Sequence, residues 1–533
     1  MVARRCRLTR QCSGHLCQSR LLHPQKPRPP AGATDRGVMG RNLAIQLKIR
    51  SRIALFATAV VVLNGCVAGP ELNDIHSQLN ATRVDSIRYP KSTDDIVEII
   101  QGAQSQGKAI SISGSRHAMG GQQFGVGTVH ISMLEMNDVI ELDSGRGIVR
   151  VEAGIQWPEL LQELLDMQEG SENVWTIVQK QTGADQLTIG GALSANAHGR
   201  GVAFKPFVQD VEAFTLVNAD GEVLSVSREQ HPELFRLVIG GYGLFGVVAT
   251  VDLRLMPRTK LKRVVEIVEL PDLPAKVEHR LQEGFLYGDF QYKTDGDAKD
   301  FMQIGVLSAY KPIPDNTLMP TVRKALTRDN WYGLLELAHT DKSKAFEQYS
   351  QYYLTTDGQI YWSDLHQTSE YLDDYVTYLK KAQPDLPEGS LMITELYVPR
   401  TRMKTFIERV VQNNRVKPLN IVYGTLRLIE QDDETFLPWA KQDYACIIFN
   451  LRVEWSEEGR KKAKQDFRML IDRALELDGS YFLTYHKWAR KDQIIQAYPQ
   501  FVEFLRKKLE YDPDERFQSE WYRHYKQMFA SEL

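Results

Sequence analysis

The stretch SISGSRHAMGGQQ, Ser111 to Gln123, joins the end of a strand to a loop that carries glycines and a histidine. Ile110 and Ile112 alternate with polar residues, which is the pattern of a half-buried β-strand. Glycines let the backbone approach a neighbouring group closely; those of the loop are Gly114, Gly120 and Gly121. The pattern therefore predicts a strand that leads into a tight loop, and it leaves His117 unexplained.

The segments around this loop predict a mixed helix and strand domain. Residues 92–107 place apolar side chains at helical spacing between a serine capping signal and a closing glycine. A second amphipathic helix is predicted from Trp157. Alternating and β-branched segments predict strands at 128–133, 147–154 and 246–257 and a hairpin at 210–227. These elements predict one α+β unit through residue 258.

Two more glycine-rich segments lie in this unit. LTIGGALSANAHGRG, residues 187–201, consists of small side chains. It is either a packed turn or a segment whose backbone N–H groups face a pyrophosphate or a flat ring. GGYGLFG, residues 240–246, formally matches G-x-G-x-x-G, but a strand pattern follows it where a dinucleotide site requires a helix. The second segment therefore does not predict a Rossmann fold.

The segments SGSRHAMGGQQ, TIGGALSANAHG and IGGYGLFGVV have the order and spacing of three landmarks of a known family. Residues 85–258 resemble the FAD-binding domain of the vanillyl-alcohol oxidase and p-cresol methylhydroxylase (PCMH) superfamily. Within it the chain looks closest to the alditol oxidase and aldonolactone oxidase branch. The segment AYPQFVEFLRKKLEYDPDERF, residues 497–517, is similar to decaprenylphosphoryl-ribose oxidase.

The resemblance implies an α+β fold with a PCMH-type FAD-binding domain of two α/β subdomains. A substrate (cap) domain with a mainly antiparallel sheet and flanking helices would complete it. A shift in composition after residue 258 agrees with a second domain. The predicted division is an N-terminal extension and signal peptide at 1–65, a lead-in at 66–84, the FAD-binding domain at 85–258, the cap at 259–480 and a C-terminal segment returning to the FAD domain at 481–533.

FAD is the cofactor that the resemblance implies, and His117 occupies the place of a histidine bonded to the flavin 8α carbon. A neutral imidazole nitrogen is nucleophilic near pH 7, which suits such a bond; the alternative is a histidine that only packs against the flavin. His198 is either beside the cofactor or a hydrogen-bonded core residue. The implied cofactor-binding residues are Gly114, Ser115, Arg116, His117, Ala118, Gln122, Thr188, Gly190, Gly191, Ser194, Asn196, His198, Gly199, Gly246, Val247 and Val248.

The implied catalytic residues come from later segments. YGTLRLIEQDDETFLP supplies Arg427, CIIFNL supplies Asn450, and LTYHKWAR supplies Lys487 as a cation near the flavin, with His486 as the alternative. Two positions lack a group that the family has: Thr425 stands where a glutamate is expected and Ile448 where a histidine is expected. Asn450 itself stands where a threonine is expected. Glu395, in ITELYVPR, is expected to have a structural or substrate-rim role.

These residues imply an FAD-dependent oxidoreductase that oxidises a CH–OH group by hydride transfer to flavin N5. The substrate would be a sugar-like alcohol or polyol, an aldonolactone or a glycan-linked sugar, and the electron acceptor O2, a quinone or a cytochrome. The two departures keep an alternative open, a non-catalytic flavin-binding or electron-carrying envelope lipoprotein. No metal site is expected, because no metal-binding motif appears.

Composition and the N-terminus indicate the compartment. A content of 43% hydrophobic and 25% charged residues is typical of a folded protein. Basic residues precede an apolar run at 53–63 that is too short to span a bilayer, as in a signal peptide, and LNGC resembles a bacterial lipobox ending at lipidated Cys66. The alternative is an uncleaved anchor. We expect a lipid-anchored protein on the periplasmic side of a bacterial cell envelope.

Charge argues against one class of partner. From Cys66 onward the chain holds 53 Lys and Arg against 67 Asp and Glu. Nucleic-acid binding needs a basic surface to neutralise phosphates. The sequence therefore predicts no nucleic-acid partner, and contact with a membrane only through the lipid.

Overall fold

Residues 92–113 fold as their local pattern predicts. The computed structural model describes residues 69–181, 183–367, 369 and 372–533; the predicted signal peptide, the upstream extension and Cys66 lie outside the described residues. Ser92 caps the first helix, since its hydroxyl accepts a hydrogen bond from Asp95 N at 3.1 Å. That helix buries Ile96 and Ile100 and leads into the strand before the histidine loop.

The first half of the described chain contains eleven strands and four helices. Its strands are β1 (Glu71–Leu72), β2 (Thr82–Arg83), β3 (Ser86–Arg88), β4 (Ile110–Ser113), β5 (Val129–Ser132), β6 (Val139–Asp143), β7 (Ile148–Glu152), β8 (Trp175–Ile177), β9 (Val211–Val217), β10 (Val223–Ser227) and β11 (Val247–Pro257). Its helices are α1 (Thr93–Ser105), α2 (Trp157–Met167), α3 (Ile189–Ala195) and α4 (Pro232–Val238).

These strands form two main sheets. The first is parallel, with the order β3-β5-β4. The second is antiparallel, with the order β10-β9-β11-β7-β6 and β8 paired to β11. The predicted hairpin is β9 and β10, and the segment after Gly246 is β11, a strand, as expected for a fold other than Rossmann.

The second half is built on one antiparallel sheet with the order β15-β12-β14-β13-β17-β18-β16-β19. Its strands are β12 (Lys260–Glu269), β13 (Tyr287–Tyr292), β14 (Ile304–Pro312), β15 (Ile360–Trp362), β16 (Gly389–Pro399), β17 (Ile421–Ile429), β18 (Tyr444–Glu454) and β19 (Ser480–Tyr481). Its helices are α5 (Leu273–Gln282), α6 (Arg328–Thr340), α7 (Lys342–Leu354), α8 (Tyr375–Ala382), α9 (Met403–Val416) and α10 (Glu457–Leu475).

The C-terminal segment adds α11 (Lys491–Ala497), α12 (Phe501–Tyr511) and α13 (Glu520–Met528) and lies against the first sheet. Ile110 N donates to Arg516 O at 2.6 Å, and Gln518 N donates to Ile110 O at 2.8 Å. The preceding turn is held by the buried Asp512, which pairs with the buried Lys508 and accepts from Phe517 N at 2.8 Å. Residues 516–518 therefore extend the sheet beside β4.

The predicted fold class is confirmed: the chain is an α+β protein with an FAD-domain-like half and a mainly antiparallel cap sheet. One local expectation differs. Part of the glycine-rich segment 187–201 forms the helix α3, where the pattern indicated a turn or an open phosphate loop; Thr188 caps it by accepting from Gly191 N at 3.2 Å. Among the described residues, none of the helices has the length and apolar composition to cross a membrane.

Candidate active site

A cavity of about 470 Å³ lies between the glycine-rich segments of the first half and one face of the cap sheet. Residues 114–119 and the start of α3 line one wall, and β16, β17 and β18 line the opposite wall. Phe482, Thr484 and Tyr485 close it from the C-terminal side. The cavity thus joins segments that are far apart in the sequence.

The two glycine segments touch each other at this wall. A Cβ atom on Gly114 would lie 2.0 Å from Thr188 Oγ1, so only glycine fits there. The hydroxyl of Ser115 donates to Gln186 O, and Arg116 has a left-handed φ of 61° that places the chain in a tight turn. This cradle of closely spaced backbone fits the flat ring and diphosphate of an FAD.

His117 lines the cavity and contacts a second histidine. His117 Nδ1 lies 2.7 Å from His76 Nε2, so one ring donates and the other accepts. The lead-in segment that carries His76 is tied to the loop, since Ile75 N donates to Arg116 O at 3.1 Å. Burial lowers the pKa of His76 to about 4 and holds the pKa of His117 well below its usual value. Both rings are therefore neutral at pH 7, which keeps the ring nitrogens nucleophilic.

The predicted cofactor residues fall into two groups. Those that line the cavity are Gly114, Ser115, Arg116, His117, Ala118, Thr188 and Gly191. The others are not among the lining residues and are Gln122, Gly190, Ser194, Asn196, His198, Gly199, Gly246, Val247 and Val248. Gln122 shows what such residues do: its amide Nε2 donates to Leu483 O and Thr484 O at 3.0 and 2.9 Å, and so joins the loop to the C-terminal segment.

Residues of α3 and β11 support the wall in the same way. Asn196 ends α3 in a left-handed conformation, and its amide donates to Asp432 at 2.8 Å. A Cβ atom on Gly190 would lie 2.9 Å from Ala153 Cβ, so this glycine lets α3 pack on the strand layer. Val247 and Val248 pair with β9 at the start of β11. These residues therefore hold α3 and β11 in place within the FAD-binding half.

Three neighbouring strands present one row of side chains to the cavity. Thr425 on β17 pairs with Ile448 on β18, which pairs in turn with Glu395 on β16. Directly paired residues of antiparallel strands share a face, and all three line the cavity. The two positions that depart from the family pattern thus lie in one row with a carboxylate.

Arg427 and Asn450 lie on this face as predicted and also line the cavity. Arg427 is buried, and its Nη1 donates to Gly199 O at 3.3 Å, which links the cap to the segment after α3. Within the described residues, Asn450 Oδ1 is buried without a hydrogen-bond partner. A buried carbonyl oxygen of this kind is an available acceptor for a hydroxyl group.

Glu395 is a buried carboxylate of the cavity wall. It accepts from His198 Nε2 at 2.8 Å, from the Tyr397 hydroxyl at 2.7 Å and from the Tyr485 hydroxyl at 2.8 Å. Burial favours the neutral acid, but the attraction and hydrogen bond of His198 and the two tyrosine hydrogen bonds lower the pKa of Glu395 overall. Cys446 Sγ lies 3.9 Å from Glu395 Oε2. The carboxylate is therefore ionised at pH 7 and held in a fixed orientation.

Two residues of the LTYHKWAR segment line the cavity, Thr484 and Tyr485. The Tyr485 hydroxyl donates to Glu395 Oε1 and accepts from Gln181 Nε2 at 3.2 Å. Burial, followed by the charge of Glu395, raises the pKa of Tyr485 well above its usual value. A neutral phenol that touches both the cavity and a carboxylate can pass a proton between them.

The structure places the two predicted residues of this segment elsewhere. Lys487 is outside the cavity lining, and its Nζ lies 3.3 Å from where a Cβ of Gly121 would be, on the far side of the histidine loop. His486 packs edge-on against Phe467, with ring centroids 4.5 Å apart, and parallel to Tyr481. The reason is the irregular backbone after β19, which turns at Tyr485 and sends the next two side chains away from the cavity.

The sequence predicted a structural or substrate-rim role for Glu395 and did not single out Tyr485. A weak signal existed for each residue: Glu395 lies in a family strand, and Tyr485 is adjacent to the predicted pair. Thr425 stands where the family has a glutamate. Glu395 supplies a carboxylate to the same row of side chains, two strands away on β16.

Residues 84–227 match the family model described as an FAD binding domain. The chain is 28% identical over 172 residues to L-gulonolactone oxidase of Mus musculus, covering 32% of the chain and 37% of that protein. It is 27% identical over 212 residues to the mitochondrial L-galactono-1,4-lactone dehydrogenase of Arabidopsis thaliana, covering 38% and 33%.

A third relative is cytokinin dehydrogenase 2 of Arabidopsis thaliana, 32% identical over 165 residues, with 30% of the chain and 31% of that protein covered. The matches thus span about a third of the length of the curated relatives. Together with the fold and the cradle, they show that residues 84–227 contain an FAD-binding domain, similar to that of the PCMH-type superfamily of FAD-linked oxidoreductases. Within that superfamily it is similar to the aldonolactone oxidases and dehydrogenases.

Proposed function

We propose that the protein oxidises a CH–OH group of a sugar-like alcohol, an aldonolactone or a glycan-linked sugar. The observation that carries the proposal is the row of polar groups on β16–β18 that faces the FAD cradle across one cavity. An alcohol held there would have its carbon toward the flavin and its hydroxyl toward Glu395 and Tyr485. The names of the lactone oxidases among the relatives support the same reaction class.

Bound FAD would supply the hydride acceptor, and the residues of this chain would manage the hydroxyl group. Arg427 and Asn450 would orient the substrate through a donor and an acceptor. The hydroxyl would give its proton to Tyr485 Oη while Tyr485 gives its own to Glu395 Oε1, along the 2.8 Å hydrogen bond. A carboxylate of low basicity suffices, because the hydroxyl becomes acidic as hydride leaves the carbon. O2, a quinone or a cytochrome would take the electrons.

The test is anaerobic mixing of the flavin-loaded protein with polyols, aldonolactones and phosphorylated sugars. Bleaching of the flavin absorbance by one class supports the enzyme. The second candidate is a non-catalytic or electron-carrying flavoprotein, which Thr425 and Ile448 favour because they remove two polar groups expected at the site. That candidate requires that none of the alcohols bleaches the flavin while a chemical reductant does.

We also propose that FAD is linked through its 8α carbon to His117. The position of His117 in the cavity wall supports the link, and the hydrogen bond with His76 would hold the His117 ring in place. Attachment would exchange one hydrogen of the 8α methyl group for a His117 ring nitrogen, and the electron pair left on the flavin would pass to the O2, quinone or cytochrome acceptor. After acid precipitation a yellow pellet is expected, and a colourless pellet with a yellow supernatant would contradict the covalent link. His76→Phe should slow attachment while leaving FAD binding intact.

Export and lipid anchoring are further proposals, supported by the basic and apolar N-terminal pattern before Cys66. The protein would then be held on the periplasmic side of a bacterial envelope membrane. Expression of the whole chain in a bacterium should place it in the detergent phase of a phase-partition experiment, and Cys66→Ser should move it to the aqueous phase. Recovery of both proteins in the aqueous phase would contradict the proposal.

A further inference from the structure

The active-site cavity continues beyond the polar row to a wall made by α6 and α7. On α6 the side chains that reach the cavity are Trp331, Leu334, Leu335 and Ala338. On α7 they are Lys342, Ala345, Phe346, Tyr349 and Tyr353. Both sets recur at intervals of three and four residues, so each is one continuous helix face. Two amphipathic helices thus turn their apolar faces toward the cavity.

These faces do not take part in the hydrophobic core of the described residues. Trp331, Leu334, Leu335 and Phe346 are half-buried and lie outside the core clusters, and α7 buries none of its residues. An amphipathic helix ordinarily packs its apolar stripe against the core. The apolar stripes of α6 and α7 instead face the cavity.

The opposite wall has the same chemistry. Leu391 and Ile393 on β16 line the cavity and precede Glu395 on the same face of the strand. With a rise of about 3.3 Å per residue, they lie about 13 and 7 Å from Glu395 along the strand. We call the part of the cavity bounded by Trp331, Leu334, Leu335, Phe346, Leu391 and Ile393 the distal compartment.

The other end of this row faces the FAD-binding half. Glu395 contacts His198, and Tyr397, two residues further on, packs its ring on Trp439 with centroids 4.5 Å apart. The distal compartment therefore lies on the side of Glu395 that points away from His198. A molecule that places its hydroxyl at Glu395 has its remainder directed into the compartment.

We propose that the distal compartment binds an apolar group, carried by the same alcohol that is oxidised at Glu395 and Tyr485. The inference rests on the proposed function and narrows its substrate to amphipathic alcohols. Beside Ile393, Asn450 could bind one further hydroxyl. The other hydroxyls of a bare polyol would lie against leucine, tryptophan and phenylalanine side chains, where they would lose hydrogen bonds to water without replacement. An alkyl or aromatic group would instead gain by leaving water.

The experiment compares methyl β-glucoside with octyl β-glucoside, the latter below its micelle-forming concentration, by calorimetric titration of the flavin-loaded protein. Burial of one methylene group strengthens binding up to about fourfold. We expect octyl β-glucoside to bind at least about tenfold more tightly than the methyl compound. Equal dissociation constants would overturn the proposal.

Substitutions on α6 and α7 test whether the octyl group binds in the distal compartment. Leu335→Gln and Phe346→Gln, on different helices, should each reduce the octyl preference several-fold, and Ala345→Phe should reduce it by filling the space. Leu318→Gln is the matched control, because Leu318 is apolar and 89% exposed; it should leave the preference unchanged. A preference that survives all three cavity variants would overturn the assignment. Retained flavin absorbance and thermal unfolding check that each variant is folded.

A kinetic experiment tests the distal compartment and the proposed reaction independently. Anaerobic flavin reduction is measured with alcohols of equal polar part and increasing alkyl length. A fall in KM with chain length at nearly constant kcat supports the inference. Reduction by alcohols with no dependence on chain length overturns the distal compartment alone. Variant-sensitive octyl binding without reduction by any alcohol overturns the proposed reaction and leaves the compartment as a ligand site.

Discussion

Glu395→Gln is the substitution that tests the proposed proton path. The side chain is 3% exposed and accepts hydrogen bonds from His198, Tyr397 and Tyr485. Glutamine keeps the shape, but it removes the charge and turns one acceptor into a donor that faces other donors. A hydrogen bond to a charged group contributes roughly 1.5–3 kcal/mol, so we expect a destabilisation of a few kcal/mol.

The effect on the reaction should be larger. General-base assistance is worth about 10²–10⁴-fold, so kcat/KM for a substrate found in the screen should fall by that factor. The assay is stopped-flow flavin reduction without oxygen, with flavin content measured on each sample. Tyr485→Phe should give a similar loss because it breaks the path. Tyr397→Phe is the matched control: it removes a hydrogen bond to the same carboxylate, but its side chain is outside the cavity lining.

The pH dependence follows from the lowered pKa of Glu395. Because its value in the folded protein is below the unfolded value near 4.3, the carboxylate stabilises the fold above that pH. This stabilisation is lost as the pH falls through the folded pKa. Wild-type activity should therefore show no loss from this group between pH 5 and pH 8. A rate for Glu395→Gln within about threefold of wild type, with Tyr485→Phe equally active, would refute the proton path.

Three further predictions concern the cradle, the loop and the C-terminal segment. Gly114→Ala should abolish FAD retention, since the new Cβ would lie 2.0 Å from Thr188 Oγ1, whereas Gly102→Ala, with nothing within 4 Å, should retain it; equal flavin absorbance in both purified variants would contradict this. Lys487→Met should keep kcat within about threefold, because the amine lies outside the cavity lining, and a loss of two orders of magnitude in the flavin-reduction assay would restore it as a catalytic residue. His117→Ala should leave flavin that acid extracts, measured as absorbance in the supernatant; an intact yellow pellet would point to another attachment site.

Much of the FAD-binding half could be predicted from local patterns. The Ser92 cap, the apolar spacing of α1 and the alternation of β4 act within about four residues, so the sequence alone indicates them. The helix α3 was missed because glycine has a low helix propensity. Its formation depends on the Thr188 cap and on close packing of Gly190 against Ala153.

The sequence by itself indicated the class of protein and the cofactor through the resemblance of three glycine-rich segments to a known family. It also located the loop that holds His117, because glycine spacing and strand patterns are local signals. Only the tertiary structure decided the chemistry opposite that loop. Glu395 meets His198 across 197 positions and Tyr485 across 90, and no periodicity encodes such contacts. Which of Tyr485, His486 and Lys487 enters the cavity depends on one backbone turn after β19. The apolar faces of α6 and α7 would have been assigned to the core from their spacing, and the fold directs them to the cavity instead.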